Sequence, residues 1–240
     1  MNLIKDEWTQ KDIQDFNSYL QKLSEPSKAE WTQNIYATKK PCLAIKVPVL
    51  REIAKQIALG NFNSFLSCKK LDYIEYDILQ AILIGKMQTY KQQQKATINL
   101  LKNVDSWVCT DTLKLATNTK NFKDVIDFSK ELYAQNYTFL RRFAFVQLLK
   151  FAKNEEFLEE IYQLILSANA EKEYYVNMAQ AWLICELMIY YPKNTLKFIK
   201  NYKKIYKNDN NLFIIKKSIS KCKDSFRISD ELKNQLKTII

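Results

Sequence analysis

The sequence predicts an all-α protein, a curved α-solenoid of HEAT-like antiparallel helix pairs. Three observations carry that expectation. Only two glycines and four prolines punctuate 240 residues. Apolar residues recur at helical rather than alternating spacing almost throughout. The segments defined in this way are short and joined by brief polar turns, and helices of that length gain their stability by stacking. Helix pairs that follow one another at roughly 35–45 residues are the signature of solenoids, which curve and offer a long concave surface.

In chain order the helical pattern falls at about 10–23, 26–37, 48–59, 72–88, 90–102, 105–117, 121–134, 138–152, 155–167, 173–190, 193–206, 209–221 and 229–239. The third segment shows the logic: Pro48 opens it, Val49, Ile53, Ile57 and Ala58 share a face, and Gly60 stands where a helix closes. Between 173 and 190 the pattern is nearly all apolar, as in a helix enclosed by neighbours. No strand pattern, linker, low-complexity tract or break in composition divides the chain, so residues 1–240 read as a single repeat domain. A compact helical bundle, closed around its core and without a groove, is the competing architecture.

With 47% hydrophobic and 26% charged residues, the chain can bury a core and does not resemble a disordered polymer. The longest apolar candidate, Met178 to Tyr191, is interrupted by Gln180 and Glu186, and Met1 to Lys11 carries acidic residues without an apolar signal core. These features place the protein in the cytoplasm without a membrane partner. Histidine is absent, which removes the commonest general base and metal ligand. The five cysteines, Cys42, Cys68, Cys109, Cys185 and Cys222, are scattered and form no CxxC pair; neither a zinc site nor a disulfide framework is expected. No metal and no cofactor is expected, and catalysis would have to rest on carboxylates, Lys, Tyr or Cys.

The net charge of +11 points to an anionic partner, nucleic acid first. A lysine-rich coding bias is the plain alternative, since Lys, Asn, Ile and Tyr are all abundant. The distribution favours a partner: from Lys193 onward there are 13 Lys and Arg against 4 Asp and Glu. Arginine occurs four times only, at Arg51, Arg141, Arg142 and Arg227. An arginine kept in so lysine-rich a chain needs its planar fork.

Three segments stand out. In DSWVCTD, Trp107 and Asp111 are four residues apart and share a helix face, although each residue type alone is more often packing or solvated surface. In YTFLRRFAFVQLL, Arg141 and Arg142 fall in the first turns of a helix, where the dipole disfavours a cation; either a bound anion or an ion pair with a neighbouring helix would relieve that conflict. In YYVNMAQAWLICEL, Trp182 follows Tyr175 by seven positions on nearly the same face of an otherwise core-like helix.

Taken together, these segments resemble the DNA alkylation repair family of AlkD-type, HEAT-like alkylpurine DNA glycosylases, over a stretch from about Lys39 to the C-terminus. LAIKVPVLREIAKQI is similar to the family's GxxxPxxR stretch, with Pro48 and Arg51 in place and Ala44 where glycine is expected. DSWVCTD matches its Trp-x-x-x-Asp element, and IIKKSISKCKDSFRIS is similar to the tail of one branch. The resemblance implies Asp111 as the catalytic carboxylate, Trp107 and Trp182 as groove aromatics at the lesion, and Arg142 as a DNA-contacting arginine. These four would converge on one concave surface, and Arg141 would be the more dispensable arginine.

Implied with them is hydrolysis of the N-glycosidic bond of cationic N3- or N7-alkylated purines in duplex DNA, without base flipping, by a monomer. The chemistry suits a protein without histidine. An alkylated purine already carries positive charge and departs neutral without a general acid, so one carboxylate suffices to stabilise the sugar cation and position water. Two other readings stay open: a non-catalytic HEAT-like binder of damaged or distorted DNA, and a helical-repeat protein scaffold whose tryptophans are core.

Overall fold

The structure, a computed structural model, describes residues 1–206 and 209–239. Lys207, Asn208 and Ile240, which belong to the basic C-terminal part, lie outside the described residues. Every regular element among the described residues is helical, so the all-α class holds. The chain divides into two compact units, Met1–Ala116 and Thr117–Ile240.

The first unit holds α1 (Gln10–Lys22), α2 (Ala29–Tyr36), α3 (Val47–Ile57), α4 (Phe62–Ser67), α5 (Ile74–Ile84), α6 (Tyr90–Leu101) and α7 (Trp107–Thr112). Its axis is α5, all eleven residues of which are buried. Helices α3, α6 and α7 pack against it. Near the N-terminus Trp8, Phe16 and Phe65 meet edge to face, with ring centroids 5.0–5.8 Å apart. Proline in the first turn of α3 costs no hydrogen bond there. The glycine beyond that helix serves a purpose other than closing it: α3 ends at Ile57 with Ala58 as its cap, and a Cβ on Gly60 would stand 2.4 Å from the carbonyl oxygen of Lys5.

The second unit holds α8 (Phe122–Tyr133), α9 (Thr138–Val146), α10 (Leu158–Ser167), α11 (Tyr174–Tyr190), α12 (Pro192–Ile205), α13 (Asp209–Asp224) and α14 (Asp230–Lys237). Here α11 is the centre, enclosed by α9, α12 and α13, while α8 covers α9 and α14 covers α13. Burial on several sides explains its nearly continuous apolar sequence.

Each expected segment overlaps one of these helices, and the larger differences have local causes. Helix α4 was not anticipated; it is a six-residue turn capped by the Asn61 side chain, and it serves to bury Phe65. Helix α7 stops at Thr112 rather than running to 117. Thr110 and Thr112 turn their hydroxyls back onto the carbonyls of Trp107 and Val108, at 2.6 and 2.8 Å, which competes with continued helix. Leu113 is then extended, and the chain passes so close to α5 that a Cβ on Gly85 would lie 2.4 Å from the Lys114 carbonyl.

Candidate functional site

Only two residues of α7 reach the surface, Trp107 and Asp111; Val108, Cys109, Thr110 and Thr112 between and after them are buried. The helix is started by Ser106, whose hydroxyl accepts from the Val108 amide and donates to the Tyr36 carbonyl at 2.6 Å. The end of α2 then fixes the indole. Trp107 donates from Nε1 to the Ile35 carbonyl at 3.0 Å, and its ring meets Tyr36 edge to face at 6.0 Å. Asp111, one turn later, accepts from the Thr110 hydroxyl at 3.0 Å. A second carboxylate, Asp105, ties the preceding turn to this ensemble by accepting from the Thr38 hydroxyl and the Lys39 amide, at 2.6 and 2.7 Å. The Trp-x-x-x-Asp pair is thus one half-exposed patch, with its indole held by backbone.

Beneath it, α5 carries two buried carboxylates. Glu75 accepts from the amides of Leu43 and Ile45, at 3.0 and 3.4 Å, and from the Cys42 thiol. Ala44, between those two amides, has φ 57°, in the left-handed region. A glycine would take this conformation without strain, and the loop must turn left-handed to aim both amides at Glu75. Asp77 pairs with Lys40 at 2.5 Å, and burial pushes its carboxyl above the ordinary carboxylate range. Burial likewise raises the Cys109 thiol, and pushes the Cys42 thiol up to about 12. Neither of these cysteines is set up as a thiolate nucleophile.

In the second unit, Trp182 remains partly exposed on α11, on a stripe with Tyr174, Met178, Glu186 and Tyr190. The two neighbouring arginines of α9 differ sharply. Arg141 pairs through Nε with Glu171 at 3.0 Å, so an ion pair relieves this helix start. Glu171 in turn accepts from the amides of Lys172 and Glu173, at 2.9 and 2.8 Å, just before α11. Arg142 is only 5% exposed and donates from Nη1 to the Tyr175 carbonyl at 2.7 Å. Arg227 pairs with Glu186 beside the α11 stripe. Trp107 and Asp111 are brought together on α7, and Arg142 and Trp182 lie on the contacting helices α9 and α11.

Sequence reasoning missed the supports of the indole, the Ile35 and Tyr36 carbonyls. The only signal for them is the serine that precedes Trp107 as a helix cap. Also missed were three lysines, Lys55, Lys86 and Lys114, that line a cleft with Arg51; each stands at or just past a helix end, where lysine draws little notice. Among the described residues no group of three or more Cys, Asp or Glu side chains is arranged to hold a metal ion, and no helix is long and apolar enough to cross a membrane.

Comparison with known families gives a match over residues 16–220 to the one described as DNA alkylation repair enzyme. Curated individual proteins gave no match.

Proposed function

The chain belongs to the DNA alkylation repair enzyme family, and from that premise we propose that it is a glycosylase excising cationic N3- and N7-alkylated purines from duplex DNA. The single observation that carries the reading is the surface of α7, where every residue but Trp107 and Asp111 is buried. A helix that presents an aromatic face and one carboxylate, and nothing else, offers what departure of a cationic base requires.

The proposed chemistry is hydrolysis. The bond between C1′ and the purine breaks, its electron pair neutralises the alkylated ring, and the base leaves without being protonated. Asp111 stabilises the positive sugar, positions the water that attacks C1′ and takes its proton. Trp107 and Trp182 are the aromatics offered to the cationic lesion strand, each contact worth about 0.5–2 kcal/mol in the general cation–π range. Recognition from the backbone side leaves the base unflipped, in contrast to enzymes that extrude it into a pocket. Arg142 anchors a phosphate without reading sequence.

The proposal includes HEAT-like stacking of antiparallel helix pairs within each unit. Alternate-helix packing supports it: α3 on α5 on α7 in the first unit, and α9 on α11 on α13 in the second. It also includes action as a cytoplasmic monomer without metal or cofactor. Incubation with methylated duplex DNA and chromatography of the released bases tests the activity. Release of 7-methylguanine or 3-methyladenine above the spontaneous rate is expected. DNA binding without release of either would replace this reading by the non-catalytic binder.

A further inference from the structure

Of the four arginines, three have their forks engaged by protein: Arg141 by Glu171, Arg142 by the Tyr175 carbonyl and Arg227 by Glu186. Arg51 is different. It is exposed on α3 and, among the described residues, has no ion-pair partner. It lines a cleft of about 430 Å³ with Lys55 of the same helix, Lys86 after α5 and Lys114 after α7. One carboxylate, Glu52, also lines the cleft and pairs with Lys55 at 3.4 Å. Lys86 and Lys114, like Arg51, have no ion-pair partner among the described residues.

Four cations around one carboxylate repel one another unless an anion joins them. Cations beyond helix ends complement the dipoles of α5 and α7, which accounts for Lys86 and Lys114. It does not account for Arg51, which lies in the middle of α3. A guanidinium fork directed at a space bordered by lysines is the arrangement that holds phosphate oxygens. The cleft also ends on Thr112, the residue after Asp111. Gly85 lines it too, and a Cβ there would lie 2.4 Å from the Lys114 carbonyl.

We propose that this cleft is a phosphate-binding site, in which Arg51, Lys86 and Lys114 grip a backbone phosphodiester of the duplex close to Asp111. The site rests on the DNA reading above and adds to it an anchor within the first unit, independent of Arg142. It contacts phosphate only, so it carries no sequence preference.

The test compares two variants of equal charge. Arg51→Gln/Lys114→Gln empties the cleft of two cations, and Lys91→Gln/Lys95→Gln removes two exposed lysines from α6, away from it. Duplex affinity is measured for both and for the parent between 50 and 200 mM KCl, conditions over which each lost phosphate contact lowers the slope of log affinity against log salt by about 0.9. The cleft variant is expected to lose about 1.8 of slope and roughly tenfold or more in affinity at the low-salt end. The α6 variant should keep the parental slope. Equal slopes for the two variants, with the parent binding DNA steeply, would overturn the cleft while leaving the DNA reading intact. A parent without salt-dependent duplex affinity would overturn both. Circular dichroism of the folded variants separates loss of contact from loss of fold.

Discussion

Asp111 and Ala44 show what single positions contribute. Asp111→Asn keeps shape and most hydrogen bonding while deleting the charge, so duplex binding should survive and release of 7-methylguanine should fall. A drop of about a hundredfold corresponds to roughly 2.7 kcal/mol, the scale of one preorganised electrostatic contact. Single-turnover release, set against spontaneous depurination of the same DNA, measures it; release at the parental rate would remove Asp111 from the mechanism. Ala44 bears a different load. Its left-handed backbone, φ 57°, costs a non-glycine residue about 1–2 kcal/mol, of which the chain entropy of glycine would take back roughly 0.5–1 kcal/mol. Ala44→Gly is therefore expected to stabilise the protein, by about 0.5–1 kcal/mol, read as a rise in the thermal midpoint. A fall would mean that the loop over Glu75 is not strained. The position was legible as a departure from a motif, but its cause was not, because a sequence does not display the sign of φ.

Elements fix how those residues are held, and here sequence and structure part at identifiable places. Helical periodicity found the long helices because each has a continuous apolar face. It missed α4 because six residues hold too little pattern, and it overran α7 because hydroxyls that turn back onto the helix carry no hydrophobic signal. The α9 arginines were legible as a conflict with the helix dipole, yet only packing decides which one finds an acid. Arg141→Ala should leave Glu171, itself 6% exposed, without its cation and cost about 2 kcal/mol, toward the lower end for a partly buried pair. Arg142→Ala should instead lower the salt slope of duplex affinity by about 0.9, the loss of one phosphate contact. An unchanged slope with lowered stability would make Arg142 a brace between α9 and α11. At the other end of the chain, Thr9 caps α1, and Asp12 accepts from Lys5, from the Thr9 hydroxyl and from the Thr9 amide. Lys5 first, then Thr9, hold its carboxyl well below the usual range. A depressed folded-state value gives stability that is complete above the unfolded value, about 4, and is lost as pH falls through the folded one. Thr9→Ala should thus cost about 1 kcal/mol at neutral pH, and the gap to the parent should narrow in denaturant titrations carried out below pH 4.

For the whole molecule the uneven charge matters more than its total. Of the +11, +9 arises from Lys193 onward, and α13 contributes a cationic edge beside the aromatic stripe of α11: Lys217 lies 5.5 Å from the Phe213 ring centroid, and Phe213 lies 6.0 Å from Tyr174. Lys217→Gln/Lys221→Gln is expected to lower the salt slope by up to about 1.8 without altering base release at saturating protein. A parental slope would make the C-terminal lysines solvated surface, as a coding bias alone would leave them.

The hydrogen bond from the Trp107 indole to the Ile35 carbonyl makes this residue a built-in spectroscopic reporter. An indole proton bonded to a carbonyl exchanges with solvent only when that contact opens, and it resonates apart from indoles whose protons face water. Trp182 has no such bond among the described residues, so the two tryptophans should be distinguishable by exchange rate before any ligand is added. Trp107 then reports opening of the α2–α7 contact, and Trp182 reports the wetness of its own surface. A lesion seated against α7 would slow the first signal further, giving a readout of engagement that does not depend on the base being released.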